Sequence, residues 1–105
     1  MLKAIIIDDE EDARGTLRAF IKQYCPQVEL VEEGTGVQDG YGKVLAHQPD
    51  LVFLDIQMDD GTGFDLLEKI HAPKFNVIFC TAFDEYAIKA FKFSAVDYLL
   101  KPIDP

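Results

Sequence analysis

Short apolar runs and longer amphipathic segments alternate along the chain. Each apolar run is only a few residues long, too short to cross a membrane. Such a run is typical of a strand whose two faces are both buried in a parallel sheet. The pattern predicts five strands, at residues 3–7, 28–32, 51–54, 76–80 and 95–100. The second mixes apolar and acidic residues, which indicates an edge strand with one wet side.

Four amphipathic segments separate the predicted strands. In each segment apolar residues recur at steps of three and four, which places them on one face of a helix. Prolines end the first three segments, and Asp84 is placed to cap the fourth. The predicted apolar faces are Ala13, Leu17, Phe20, Ile21 and Tyr24; Val37, Tyr41, Val44 and Leu45; Phe64, Leu67 and Ile70; and Ala87, Ile88, Ala90 and Phe91.

Strands that alternate with helices predict an α/β fold, with a parallel sheet covered on both faces. Right-handed crossovers favour a doubly wound, flavodoxin-like sheet of five strands in the order 2-1-3-4-5. The 105 residues suffice for one domain. The terminal fifth helix of such a fold is missing, which would leave apolar surface facing water. We expect the natural protein to continue, or this surface to meet a partner or a second copy.

Composition narrows the function classes. A formal net charge of -9 argues against this chain itself binding DNA. The acidity either keeps the domain soluble or reflects carboxylates that converge on a cation. Cys25 and Cys80 are expected to be reduced and structural. The first residues lack the layout of a signal peptide, so a cytoplasmic location is expected, without membrane attachment.

Polar side chains follow four of the predicted strands. They are Asp8 and Asp9, then Asp55, then Thr81, and finally Lys101. The carboxyl ends of parallel strands share one edge of the sheet, where open α/β folds bind their ligands. We therefore expect three carboxylates, a hydroxyl and an ammonium to meet in one shallow pocket.

Three neighbouring carboxylates repel one another unless a cation joins them or one is protonated. Oxygen ligands with room for water suit Mg²⁺. We expect Asp9 and Asp55 to be direct ligands and Asp8 to act through water. The backbone carbonyl of Gln57 could supply another ligand.

Lys101 and Thr81 point to phosphoryl chemistry. An ammonium near Asp55 could be a simple ion pair, but together with a metal and a hydroxyl it could also clamp three phosphoryl oxygens. Asp55 could then attack phosphorus and become an aspartyl phosphate. The sequence has no Ser–His pair or Gly-rich phosphate loop, so we expect the phosphoryl group to arrive from outside.

At these residues the chain resembles the receiver domain of two-component response regulators, from Ile5 to Pro102. The segments 81–91 and 97–103 are most similar to regulators with a LytTR-type DNA-binding output domain, the LytR/AlgR family. The resemblance implies that a sensor histidine kinase donates a phosphoryl group to Asp55 with Mg²⁺ bound, without enzymatic turnover. It also implies a homodimer on activation and an output domain beyond this chain, which would then be a fragment of a longer transcription regulator.

The resemblance further assigns roles within the pocket. Lys101 pairs with the phosphate, Thr81 moves to hydrogen-bond it, and Tyr98 swings inward as the second switch residue. A cis peptide is expected before Pro102, where it would aim Lys101 into the pocket.

The chain departs from the family pattern at one loop position and varies at two that affect hydrolysis. Asp59 stands where many receivers have proline, which places another acid near the metal. In the family, the positions of Gln57 and Phe83 influence how quickly the phosphate is hydrolysed. Phe83 cannot orient water by hydrogen bonding, so we expect slow self-dephosphorylation.

Other interpretations remain open. The chain could be a receiver-like interaction module that works without phosphate, or a haloacid-dehalogenase-like phosphatase, although Gln57 replaces the second aspartate of that family. The acids of Asp8–Glu10 could simply favour a helix N-terminus, and Tyr98 could serve packing alone. His47 and His71 are expected at the surface, and Phe91 and Phe93 in the core or at an interface.

Overall fold

A computed structural model of the chain describes residues 1–70, 73–93, 95 and 97–101. The predictions for His71, for Val96, for the peptide bond before Pro102 and for the side chains of Ile88 and Phe91 lie outside this description. No helix in the described part of the chain is long and apolar enough to cross a membrane. Cys25 and Cys80 are both free, as predicted.

Five parallel strands form the central sheet of the described chain. They are β1 (Leu2–Ile7), β2 (Val28–Gly34), β3 (Leu51–Leu54), β4 (Asn76–Thr81) and β5 (Asp97–Leu100). Their spatial order is β2-β1-β3-β4-β5, and every neighbouring pair is parallel. This order and the α/β class confirm the predicted fold. The edge strand β2 extends two residues further than predicted.

Four helices lie between these strands: α1 (Glu11–Tyr24), α2 (Val37–His47), α3 (Gly63–Lys69) and α4 (Ala87–Lys92). Alternate residues of β1 face opposite sides of the sheet. Ile5 and Ile7 join the buried cluster that includes residues of α2, α3 and α4. Ala4 and Ile6 join a smaller cluster with Leu17 of α1.

Hydrogen bonds continue beyond the last residues of the strands. The Asp8 amide donates to the Gly34 carbonyl at 3.0 Å, and the Asp55 amide donates to the Ile7 carbonyl at 3.0 Å. The Lys101 amide donates to the Thr81 carbonyl at 2.8 Å. The residues that follow β1, β3 and β5 are therefore held in the plane of the sheet, at one edge.

The buried face of α2 differs from the predicted one. Leu45 is 54% exposed, whereas Val37, Gly40 and Val44 are buried. A Cβ on Gly40 would lie 2.8 Å from a side-chain carbon of Ile7. Because residue 40 is glycine, the backbone of α2 can pack closely against β1 at this position. With this side of α2 against the sheet, Leu45 faces solvent.

The predicted cap of α4 was also wrong. The helix begins at Ala87, three residues after Asp84. Asp84 contributes its backbone carbonyl, which accepts the Ala87 amide at 3.4 Å. The separation of three residues produces a turn before the helix rather than a side-chain cap.

Candidate functional site

Four carboxylates converge at the carboxyl edge of the sheet. Oxygen atoms of Asp8, Asp9, Glu10 and Asp55 all lie within 4.8 Å of one another. Asp8 and Asp55 are buried, with 5% and 4% of their surface exposed. The structure thus brings together the three predicted carboxylates and adds Glu10. The sequence signal for Glu10 was its position directly after Asp8 and Asp9.

The Lys101 ammonium lies among these acids. Its Nζ is 2.8 Å from Asp8 Oδ2, 3.1 Å from Asp55 Oδ2 and 3.3 Å from Glu10 Oε1. Burial lowers the pKa of Lys101, but its ion pairs with Asp8 and Asp55 outweigh burial and raise the pKa above the usual value. The protonated, positively charged form of Lys101 is therefore favoured beside the two buried carboxylates.

One ammonium does not fully compensate the acids. Burial raises the pKa of Asp8, the hydrogen bonds from Lys101 and the Glu10 amide lower it, and the Asp55 charge raises it again. The net result is a raised pKa, which means that the ionised form of Asp8 is disfavoured here. A further cation would relieve this repulsion, and the oxygen ligands around it are of the type that hard metal ions prefer. This group of carboxylates could therefore hold a metal ion.

Backbone amides orient each of the three predicted acids. The Glu10 amide donates to Asp8 Oδ1 at 2.9 Å, and the Ile56 amide donates to Asp55 Oδ1 at 2.7 Å. The Asp59 amide donates to Asp9 Oδ2 at 3.0 Å, joining the loops that follow β1 and β3. Asp59 was predicted to bring another acid to the metal. Its carboxylate is not in the four-carboxylate group; the residue is exposed and contributes its N–H instead.

The loop after β3 is compact. Gln57–Met58 pairs with Gly61–Thr62 in a short antiparallel hairpin, and α3 begins at once. A Cβ on Gly63 would lie 2.5 Å from the Asp55 carbonyl oxygen, so glycine permits this close approach. Thr62 and Asp65 form a reciprocal capping box at the start of α3. The helix is thereby fixed directly against Asp55.

Asp60 connects the same loop to α2. Its carboxylate accepts the Val37 amide at 2.7 Å and the Gln38 amide at 3.0 Å. Hydrogen bonds from Gln38 and Val37 hold the pKa of Asp60 below its usual value. Sequence reasoning missed this contact, because a carboxylate next to glycine is also typical of an ordinary turn.

Thr81 and Tyr98 both contact the backbone of Phe83. Thr81 is fully buried, and its Oγ1 accepts the Phe83 amide at 3.3 Å. The hydroxyl of half-buried Tyr98 donates to the Phe83 carbonyl. The ring centroid of Tyr98 lies 6.2 Å from that of Phe79. Burial raises the pKa of the Tyr98 hydroxyl. The two predicted switch residues thus both bond to the backbone of Phe83, Thr81 to its amide and Tyr98 to its carbonyl.

Gln57 lies in the hairpin, two residues after Asp55. Its backbone pairs with Thr62, and its side chain is exposed. The side-chain Nε2 donates to Tyr86 Oη at 2.7 Å. Sequence reasoning considered the backbone carbonyl of Gln57 but missed this side-chain contact, because no pattern in the sequence relates residues 57 and 86.

The chain is similar to known proteins over nearly its whole length. The family model described as "Response regulator receiver domain" matches residues 4–105. Transcriptional regulatory protein BtsR of Escherichia coli (strain K12) is 47% identical over 99% of this chain and 44% of its own length. Sensory transduction protein LytT of Bacillus anthracis is 40% identical over 99% of this chain and 43% of its own length.

A solved structure agrees with these relatives. The REC domain of AraT, a response regulator from Geobacillus stearothermophilus, superposes with a TM-score of 0.88 and 31% identity. The match covers 99% of this chain and 84% of that one. The likeness to LytT and BtsR confirms the predicted similarity to LytTR-type regulators.

Proposed function

Because the chain belongs to the response regulator receiver domains, the phosphorylation-activated switches of two-component signalling, we propose that Asp55 is its phosphoacceptor. The donor is the phosphohistidine of a sensor histidine kinase. Receiver domains are not turnover enzymes in general, so the chain takes up one phosphoryl group per activation.

The position of Asp55 carries the proposal. The side chain is buried, and its two oxygens have different partners: the Ile56 amide on Oδ1 and Lys101 Nζ on Oδ2. A carboxylate oxygen attacks phosphorus, and the bond from phosphorus to the donor nitrogen breaks. Lys101, placed 3.1 Å from Asp55, then stabilises the negative charge on the transferred oxygens.

The carboxylate group also supports a Mg²⁺ site. Asp9 and Asp55 would hold the ion directly, Asp8 through water, and the Gln57 carbonyl would complete the protein ligands. When bound, the ion supplies charge neutralisation for the phosphoryl oxygens. Glu10 lies close enough to contribute through water, since its oxygen falls within the same 4.8 Å group.

The switch acts through Phe83. Thr81 turns its hydroxyl toward the new phosphoryl oxygen and thereby releases the Phe83 amide, its present partner at 3.3 Å. The carbonyl of the same residue holds the Tyr98 hydroxyl, so a movement of Phe83 is passed to β5. A local change in charge thus biases the surface formed by α4 and β5.

Output requires more than this chain. The chain spans 43–44% of the length of BtsR and LytT, the curated relatives it matches. We propose that residues 1–105 are the receiver domain of a longer regulator with a C-terminal DNA-binding domain, and that phosphorylation promotes a homodimer. With a net charge of -9, the receiver itself does not contact DNA.

The proposal is tested by treating the purified chain with acetyl phosphate, with and without Mg²⁺, and reading intact mass and size-exclusion elution. The wild type should gain one phosphoryl group only with Mg²⁺, and Asp55→Asn should gain none, because an amide is not a nucleophile here. Asp84→Asn is the matched control, since Asp84 is exposed and outside the carboxylate group, and it should still be phosphorylated.

The outcomes separate the proposed roles. An adduct that remains in Asp55→Asn would assign the phosphoacceptor elsewhere. An adduct without a change in elution would contradict the proposed homodimer. A folded wild type that neither binds Mg²⁺ nor accepts phosphate would favour the phosphate-independent interaction module, and dimerisation retained by Asp55→Asn would support that alternative.

A further inference from the structure

One hydrogen bond near the pocket has no part in the proposed phosphoryl transfer. Gln57 Nε2 donates to Tyr86 Oη at 2.7 Å. Gln57 lies in the loop after β3, two residues from Asp55, and Tyr86 immediately precedes α4. The contact therefore joins the loop of the phosphoacceptor to the loop of the switch.

Tyr86 is held in place by packing, independently of Gln57. Its ring lies 6.2 Å from that of Phe64 and meets the ring of Phe83 edge-on at 6.1 Å. Its carbonyl accepts the Ala90 amide at 2.9 Å, within the first turn of α4. The side chain of Gln57, by contrast, is exposed. The hydrogen bond thus restrains the glutamine far more than it restrains the tyrosine.

The restraint matters for the loss of phosphate. In hydrolysis, a water oxygen forms a bond to phosphorus, and the bond from phosphorus to the Asp55 oxygen breaks. The electron pair returns to the carboxylate, and both water hydrogens leave with the phosphate. A side-chain amide near the phosphoryl group can orient that water by hydrogen bonding, whereas the apolar ring of Phe83 cannot.

We propose that Tyr86 prolongs the phosphorylated state by engaging the Gln57 amide in this hydrogen bond, so that the amide is not free to orient the attacking water. Tyr86 is then a positioning residue for hydrolysis, acting through Gln57. The inference rests on the proposed phosphorylation of Asp55. It extends that proposal by naming the contact that sets the phosphoryl lifetime.

The test compares hydrolysis rates after removal of the phosphodonor. Tyr86→Phe keeps the packed ring and removes only the hydroxyl. Hydrolysis should accelerate about fivefold, the rate equivalent of one hydrogen bond of ordinary strength. The same change in a Gln57→Leu background should have no effect, because no amide remains to be released. Tyr41→Phe, on α2, is the matched control and should hydrolyse at the wild-type rate.

A second variant guards against loss of folding in Tyr86→Phe. Gln57→Asn keeps the amide but is one methylene too short for Tyr86, so it should also accelerate hydrolysis. Wild-type hydrolysis in both Tyr86→Phe and Gln57→Asn would overturn the inference. Equal acceleration by Tyr86→Phe with and without Gln57 would also overturn it, since the cause would then be a loosened loop. If no variant is phosphorylated at all, the proposed function itself fails, a result that differs from unchanged hydrolysis.

Discussion

The two sides of the pocket are held in different ways. On the carboxylate side, formed by the loops after β1 and β3, backbone amides fix Asp8, Asp9 and Asp55 at 2.7–3.0 Å. On the hydroxyl side, formed by the loop after β4 and by β5, Thr81 and Tyr98 both bond to the backbone of one residue, Phe83. Each acid thus bonds to the amide of a different residue, whereas both hydroxyls bond to the backbone of the same residue.

The difference matches the two tasks of a receiver. Binding a cation and a phosphoryl group needs ligands that are oriented beforehand, so that little free energy is lost on ordering them. A switch needs an element with few constraints that can exchange one partner for another. The carboxylate side has the oriented ligands that binding needs. The hydroxyl side has the few constraints that a switch needs.

The largest expected effect comes from removing the cation that joins the two sides. Lys101→Met should slow phosphorylation by acetyl phosphate by about two orders of magnitude, because the charge on the transferring oxygens loses its partner. Mg²⁺ should bind at least as tightly, since the ammonium no longer competes for Asp8 and Asp55. Isothermal titration calorimetry and intact mass measure the two effects separately.

Lys22→Met, which removes an exposed lysine of α1, provides the control. It should be phosphorylated and bind Mg²⁺ as the wild type does. Weakened Mg²⁺ binding in Lys101→Met would mean that Lys101 supports the shape of the carboxylate side, which would contradict the division drawn here.

A smaller effect is expected on the hydroxyl side. Thr81→Ala should still be phosphorylated, within about threefold of the wild-type rate, because no carboxylate ligand is changed. It should lose the change in amide hydrogen exchange that phosphorylation produces in residues 82–93, since no hydroxyl remains to release the Phe83 amide on phosphorylation. Thr81→Ser keeps the hydroxyl and should restore the change. Loss of phosphorylation in Thr81→Ala would make the hydroxyl side part of the transfer site.

The smallest expected effect is on stability, and it comes from the contact between Asp60 and α2. Asp60→Ala removes the carboxylate that caps α2 and should lower the free energy of unfolding by about 1 kcal/mol. For a domain of this size that corresponds to a fall in Tm of roughly 4–8 °C. Asp59→Ala is the comparison, since its contact with Asp9 uses the backbone amide and should survive. Equal Tm values for Asp60→Ala and Asp59→Ala would show that the Asp60 contact adds no stability.

Much of this arrangement could be predicted from the sequence. Alternating strands and helices predict a parallel sheet and favour one strand order, which brings the residues at the ends of β1, β3, β4 and β5 to one edge. Asp8, Asp55, Thr81 and Lys101 were found in this way, because each directly ends or follows a strand. The positions of such residues follow directly from the order of the strands in the sheet.

Contacts between loops were not predictable by the same reasoning. Asp60 and Gln57 bind residues of other elements, and these pairings depend on loop conformation rather than on periodicity. The exposure of Leu45 was missed for a related reason: Gly40 lets α2 approach Ile7, and helical spacing alone does not reveal which side comes nearest. Asp84 was misassigned because a turn separates it from α4.

The Lys101 contacts also have a consequence for the order of events during synthesis. Lys101 is 46 residues from Asp55 and 91 residues from Glu10 along the chain, and it follows the last strand of the sheet. A ribosome therefore completes every acid of the site well before it adds the lysine. Until β5 has emerged and docked, a nascent chain presents Asp55 without its ammonium partner, so the proposed phosphorylation of a partly made chain should be as slow as that of Lys101→Met.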